Sequence, residues 1–305
     1  MTYSIVARDP QSGALGVASQ SHYFAVGRVV TFARAGVGVV ATQSFVDPSY
    51  GPRGLDLMES GIRATDALGK LVAGDPEADL RQVAMVDTSG GTAAHTGGRC
   101  VARRGDQAGD QFVALGNMLA SDAVVPAMAV AFAAATGDLA DRLLAAMDAA
   151  EAAGGDARGQ MSASLIVVSG ELAADPWAGR LIDVRVDDAA EPLAELRRLV
   201  TLSRAHRVFG QAVFTPGLLS ADSPTAGEAL DAALSALDDA AATIGPDPEP
   251  YLWKGVLLAR AGRSREAAIC LRAAVERRSA YRDYLDGLHA VGILPVPGRT
   301  ALGDD

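Results

Sequence analysis

Apolar and polar residues alternate from the second residue of this chain onward. Tyr3, Ile5 and Ala7 fall on one phase and Ser4, Val6 and Arg8 on the other, the two-residue period of a strand with one face turned inward. A second short run, Leu15 to Ser21, follows the turn residues Asp9-Pro10-Gln11-Ser12-Gly13, so the pattern predicts a hairpin at the start. His22 to Gly27 reads as a loop with exposed aromatics. Two further strands are expected at Val29 to Arg34 and Val37 to Ser44. Asp47-Pro48-Ser49-Tyr50-Gly51-Pro52-Arg53-Gly54 is too rich in proline and glycine to read as regular structure.

The period then changes. Leu55, Met58 and Ile62 recur at helical spacing, and Thr65 is placed to cap a second piece carrying Leu68, Leu71 and Val72, stopped by Gly74-Asp75-Pro76. Strands are expected again at Gln82 to Asp87, Thr92 to His95, Arg99 to Arg103 and Gln111 to Gly116. Ser121 and Asp138 are candidate caps for two helices, one with Val124, Met128 and Phe132, the other with Leu139, Leu143, Met147 and Ala150. Strands return at Ser162 to Val168 and Leu181 to Val186, and Pro192 opens a helix to about Arg204. Strands, helices, strands and a helix in that order predict an α+β arrangement, sheets between helical layers, rather than alternating βαβ units.

From about His206 the composition shifts to alanine, leucine and acidic residues, with few β-branched ones. Ala233, Leu237 and Ala240 match Ala267, Leu271 and Ala274 at a spacing of 34 residues. Tyr251, Gly255 and Leu258 fit the first helix of the second unit, and Gly262-Arg263-Ser264 fits a turn into its second helix. This resembles tetratricopeptide repeats; the first unit, with Pro216 and Pro224, is degenerate, and two generic helix pairs explain the pattern equally well. Two domains are therefore expected, residues 1–205 and a small all-α domain over 206–305.

Composition narrows the function classes. The apolar fraction of 49% suits a packed globular protein, and a formal net charge of −10 argues against nucleic-acid binding, which needs a basic surface. No stretch reads as a signal peptide or membrane span, which predicts a cytoplasmic protein without membrane partners. Cys100 and Cys270 are isolated in sequence, and His22, His95, His206 and His289 lack ligand spacing, so neither a metal nor another cofactor is expected.

The candidate chemistry begins at Thr2. A small residue at position two generally permits removal of the initiator methionine, leaving a threonine hydroxyl beside its own α-amine. That amine has an unperturbed pKa of roughly 7.7–8.0, close enough to neutrality to act as the base a hydroxyl nucleophile needs. The competing reading is that Thr2 is merely the first residue of a buried strand. Thr96-Gly97-Gly98 could offer backbone N–H groups to an oxyanion, or be an ordinary turn. Asn117 could donate to an oxyanion, or occupy a left-handed turn position. Asp156 and Arg158 share a glycine-hinged loop, where Arg158 could clamp a substrate carboxylate or only form an ion pair. Gln20, Ser21 and Gln43, at strand ends, are weaker candidates for a polar lining.

Several of these stretches together, Thr2 to Arg8, Ala33-Arg34-Ala35-Gly36-Val37-Gly38 with Ala41-Thr42-Gln43, Tyr50-Gly51-Pro52-Arg53-Gly54, Gly116-Asn117-Met118-Leu119 and Gly154-Gly155-Asp156, resemble the domain-of-unknown-function family numbered 1028 over roughly residues 2 to 200. The resemblance implies a four-layer αββα sandwich of the N-terminal-nucleophile (Ntn) hydrolase kind. With it comes an amidohydrolase expectation: Thr2 as nucleophile, Asn117 at the oxyanion, Arg158 reading an anionic group, and a small amide or peptide-like substrate. Proteasome-type relatives of that fold carry an aspartate and a lysine where this chain reads Ser19-Gln20-Ser21 and Arg28-Val29-Val30, so the site would have to be acylase-like. The alternative is an inactive scaffold that binds a metabolite, or a partner through the helices. Members often bear a C-terminal peptidoglycan-binding label; the helical repeat here points instead to protein association and leaves a homo-oligomer open.

Overall fold

The computed structural model of the chain describes residues 2–173, 178–215, 217–219 and 227–303. Two compact units divide it, Met1–Val200 and Thr201–Asp305.

In the first unit the strands are, in chain order, β1 (Thr2–Arg8), β2 (Leu15–Ser21), β3 (Thr31–Arg34), β4 (Gly38–Ser44), β5 (Arg81–Asp87), β6 (Thr92–Thr96), β7 (Gly105–Gly109), β8 (Phe112–Asn117), β9 (Ser162–Val168) and β10 (Arg180–Val186). They form two antiparallel sheets, of order β10-β9-β2-β1-β8-β7 and β3-β4-β5-β6. The helices are α1 (Tyr50–Glu59), α2 (Ala64–Ala73), α3 (Val124–Ala134), α4 (Leu139–Ala152) and α5 (Pro192–Val213), and the division between units falls inside α5. The fold is α+β.

Three apolar clusters explain why both phases of the strands are needed. Tyr3, Ile5 and Ala7 pack with Ala18 and Leu165 against Met128 and Phe132 of α3, Leu143 and Met147 of α4 and Leu196 of α5. Val6, Val17, Val113 and Leu115 face Val39, Ala41, Ala84 and Val86 between the two sheets. Val40, Val83 and Met85 turn the other way, onto Tyr50, Leu55, Leu68 and Leu71 of α1 and α2. The alternation in β1 therefore does not separate core from solvent. It separates two cores, because a central strand of a covered sheet is buried on both faces, and Ser4 on the polar phase is fully buried.

Several boundaries depart from the sequence pattern. The stretch read as irregular already enters α1 at Tyr50. Pro52 is tolerated because the first helical turn has no intrahelical acceptor for its missing N–H, and Gly51 is required because a Cβ there would stand 2.2 Å from the ring of Phe32. Thr65 does not cap α2; the helix starts at Ala64, whose N–H donates to Asp87 Oδ2 at 3.0 Å. Val29 lies in a 3-10 turn rather than a strand, with Val29 and Val30 N–H both on the Val26 carbonyl. Arg99 to Arg103 is not a strand: Cys100 N–H closes a turn on the Gly97 carbonyl, and Arg99 N–H is held by the distant Asp79 carbonyl. The edge strand is instead the polar Gly105–Gly109, largely exposed and so invisible to an apolar pattern. The helix expected to end near Arg204 continues to Val213.

The second unit is helical: the end of α5, α6 (Glu228–Ile244), α7 (Glu249–Arg260), α8 (Ser264–Arg277), α9 (Tyr281–Ala290) and α10 (Gly298–Leu302). All six repeat residues, Ala233, Leu237, Ala240, Ala267, Leu271 and Ala274, are buried. Gly255 lets α7 and α8 approach, a Cβ there meeting Leu271 at 2.6 Å. Pro216 and Pro224 lie outside the described residues. Among those described, no helix is long and apolar enough to cross a membrane.

Candidate functional site

The space between the sheets is apolar through most of its length and polar at one end. There β1 contributes Thr2 and Ser4, β2 Ser19 and Ser21, β4 Gln43, β5 Gln82, and β8 Asn117, all buried. The register puts Thr2 opposite Asn117 across β1 and β8, so their side chains share a face. Thr2 Oγ1 donates to Ser21 Oγ at 3.1 Å, and 6% of the residue is exposed, so a reactant can reach it only at the rim.

Three amides around Thr2 are oriented by carbonyls that can only accept. Gln82 Nε2 donates to Gly116 O at 2.9 Å, Gly105 O at 3.1 Å and Thr96 Oγ1 at 3.0 Å. Gln82 Oε1 must therefore accept, and it does so from Gln43 Nε2 at 2.8 Å and Asn117 Nδ2 at 3.0 Å. Gln43 Nε2 also donates to the Thr2 carbonyl at 3.1 Å, while its Oε1 receives the Ser4 hydroxyl at 2.6 Å. Ser4 and Ser19 hydroxyls lie 2.9 Å apart. Buried polar groups in such a chain are stable only when each is satisfied, and Asn117 Oδ1 is the amide oxygen of this shell left without a donor. The strands carrying Gln43 and Asn117 each leave the sheet through a non-glycine residue at positive φ, Ser44 at 72° and Met118 at 51°, a conformation that costs energy. Asn117 itself has strand backbone, so the left-handed position belongs to its neighbour.

A second polar group adjoins the first through Ser21. His22 N–H donates to Asp156 Oδ2 at 3.0 Å, and Asp156, 4% exposed, receives the Arg158 N–H at 2.8 Å and the Arg158 guanidinium at 3.2 Å. A bridge between Leu119 and Asp156 ties this loop to the chain just past Asn117. Arg158 is thus bound to a buried carboxylate from its own loop.

The family model for DUF1028, a family of unknown function, matches residues 2–196. The chain belongs to this family. The DUF1028 match spans every residue of the site and stops before the helical second unit. A crystal structure of protein SPO2555 from Silicibacter pomeroyi, also assigned to DUF1028, is 31% identical and superposes with a TM-score of 0.59, over 65% of this chain and 87% of that one. No curated protein matches the chain.

Within this DUF1028 unit the structure brings together Thr2, Ser21, Gln43 and Asn117, with Asp156 and Arg158 alongside. It separates two others. Gln20 pairs with Tyr3 and Ala163, so its side chain points to the helix face of the sheet, where both amide atoms are buried without partners. The one-residue step from Ser21 reverses the face, and Gln20 cannot line the Thr2 site. On that opposite face Tyr3 donates to Glu151 at 2.7 Å, and burial together with the Glu151 carboxylate pushes its phenol well above the ordinary range. Gly97 follows Thr96 of the shell, but its N–H is taken by the Arg81 carbonyl at 3.0 Å and is no oxyanion donor. Gln82 was not singled out from sequence. The available signal was its phase: it shares the inward register of Ala84 and Val86, so a polar residue there had to meet partners between the sheets.

The larger described clefts lie elsewhere, one of about 700 Å³ beside α2 at Ile62, Asp66 and Lys70. One of about 510 Å³ is lined by Phe32, Arg34, Pro52, Leu55, Ile166 and Arg180 among others, and one of about 290 Å³ continues from it past Ser164 and Arg185. No residue of the Thr2 shell lines any of these.

Proposed function

We propose that this chain is an amidohydrolase of the Ntn type, built on an αββα sandwich, that cleaves a small amide or peptide-like substrate through Thr2. Once Met1 has left, the Thr2 hydroxyl attacks the substrate carbonyl carbon and the Thr2 α-amine takes the hydroxyl proton. The same amine returns that proton to the departing nitrogen, leaving an ester on Thr2 Oγ1 that water hydrolyses. Asn117 has two Nδ2 hydrogens; one is on Gln82, and the second is the proposed donor to the oxyanion. Arg158, already on Asp156, is assigned to an anionic group of the substrate with the guanidinium edge that the solvent reaches.

The observation that carries this reading is convergence. Side chains of five strands besides β1 are hydrogen-bonded into one oriented shell around a threonine that heads a central strand. Burying that many polar groups earns nothing for packing that apolar residues would not supply, and such departures from a simple core gather where function requires them. The test is a panel of amides and short peptides against wild type, Thr2→Ala and Thr2→Ser, with intact masses recorded. Thr2→Ala should lose at least about a thousandfold in rate, as when a covalent nucleophile is removed, and Thr2→Ser should keep part of it. Met1 retained in an active preparation, or full activity in Thr2→Ala, sinks the mechanism.

The second reading, an inactive scaffold that binds a metabolite, is favoured by the 510 Å³ cleft lying away from Thr2. It predicts a bound metabolite whose affinity Thr2→Ala leaves unchanged. In either case the helical unit, with its tetratricopeptide-like spacing, is proposed as the surface for a protein partner or a second copy.

A further inference from the structure

We propose that the cleft at the β3 edge of the first unit binds a single-chain amphipathic carboxylate, its head on Arg28 and its tail along Phe32, Leu55 and Ile166. The inference gives that cleft a ligand class and does not depend on whether Thr2 reacts.

The cleft follows from two sheets of unequal width. One has six strands and the other four, and β3, at the edge of the smaller, packs on β9. Beyond β9 the larger sheet continues into β10. Ile182, Val184 and Val186 of that strand turn to the helices. Asp183 and Arg185 lie on the opposite face, across from Ile166 and Ser164 of β9. A strand covered on both sides is apolar on both; here the second face is charged and exposed. The clefts of about 510 and 290 Å³ open there and share Thr31, Ile166 and Arg180, so they are continuous.

The two ends differ in chemistry. The larger part is walled by Phe32, Leu55, Ile166 and Val168. At its rim Arg34 meets two carboxylates, Asp56 at 2.9 Å and Glu59 at 2.5 Å, which leaves a negative charge there. The smaller part carries Arg28, Arg180 and Arg185. Arg180 is paired with Asp183, and Arg185 with Asp187 at 3.1 Å. Arg28 is exposed and has no ion pair or hydrogen bond among the described residues. That end therefore keeps one uncompensated positive charge, which a monoanion balances and a dianion does not.

The floor between the arginines adds no competing donor. Thr31 Oγ1 donates to the Gly27 carbonyl at 3.2 Å, so the Ser164 hydroxyl, 3.3 Å away and buried, donates to Thr31. Both hydroxyl hydrogens are used, and the Arg28 guanidinium is left to read the head. Its planar fork suits a carboxylate, while the apolar wall rewards a tail in proportion to the area covered.

The experiment is isothermal titration calorimetry of the full-length protein with acetate, hexanoate, octanoate and decanoate below micellar concentration, with decanol and decyltrimethylammonium as tails lacking the anion. Affinity should rise about fourfold for each added methylene from hexanoate onward, with acetate and the two control tails at least about tenfold weaker than decanoate. Arg28→Glu, at an exposed position, should keep the fold and weaken decanoate at least about tenfold. Silence with decanoate, equal binding of decyltrimethylammonium, or an unchanged affinity in Arg28→Glu each overturns the proposal. Hydrolysis enters none of these readings, so the binding proposal and the amidohydrolase proposal can fail separately.

Discussion

Gln82 collects two side-chain donors on one oxygen and gives its nitrogen to two carbonyls, so its replacement tests the shell independently of any reaction. Gln82→Leu keeps the volume but takes the acceptor from Asn117 Nδ2 and from one of the two Gln43 Nε2 hydrogens, and removes the side-chain donor to the Gly116 carbonyl. Each buried unsatisfied group costs about 1–3 kcal/mol, and with some relaxation a total loss of about 2–5 kcal/mol is expected from urea unfolding; a loss below about 1 kcal/mol would show that the shell is not a coupled network. For Thr2 the expected pH dependence has a definite sign. In the proposed mechanism the free amine is the base, so activity should rise with pH through the amine's pKa and fall on the acid side, a limb that Thr2→Ser should retain. Thr2 was legible as a hydroxyl beside its own amine at the head of an apolar strand, and Ser21, Gln43 and Asn117 as polar residues at or near the ends of strands with apolar neighbours. Gln20 was misplaced by one step of the same alternation, and Gln82 was passed over because it opens its strand and carries no chemistry of its own.

Among the elements, α2 depends on a residue far from it in sequence. Asp87, at the end of β5, accepts from Ala64 N–H at the start of the helix and from Ser89 and Gly91 in the following turn. Burial opposes its ionisation, yet these bonds outweigh that and hold its carboxyl below the usual carboxylate range. A depressed folded pKa means the unfolded chain binds the proton more readily. The contribution is therefore complete above the unfolded value of about 3.9 and is lost as pH falls through the lower folded value. Thermal melts should show wild type losing stability below about pH 4 more steeply than Asp87→Asn, and equal slopes would remove Asp87 from the account. Gly51→Ala should cost about 1–3 kcal/mol through overpacking against Phe32, measured as a lowered denaturation midpoint. These contacts explain what the pattern hid. A cap supplied by another strand and a helix opening on Tyr50-Gly51-Pro52 are tertiary facts, whereas the stripes of α3 and α4 and the Asp138 cap, which accepts from Asp141 N–H at 3.0 Å, are local and could be read directly.

At the scale of the molecule, the three clusters of the first unit draw on residues up to Val200, and the helical cluster begins at Ala212. A fragment from Thr2 to about residue 205 should therefore keep its mixed α and β circular dichroism and a cooperative melt; an insoluble or unfolded fragment would show that the rest of α5 is needed. The order of assembly follows from the place of β1. Its hairpin partner β2 is adjacent in the chain, but its other neighbour, β8, is Phe112–Asn117. During synthesis at about 5–20 residues per second, the flank of β1 that will meet β8 stays open for on the order of ten seconds. Until then it presents unpaired N–H and C=O groups, the kind of edge that recruits strands from other chains. The residue proposed as the nucleophile is thus made well before its surroundings close, which waits on a strand more than a third of the chain away. Refolding yield should accordingly fall as protein concentration rises, while an Asn117 that has reached its register marks the point at which that flank of β1 is no longer adhesive.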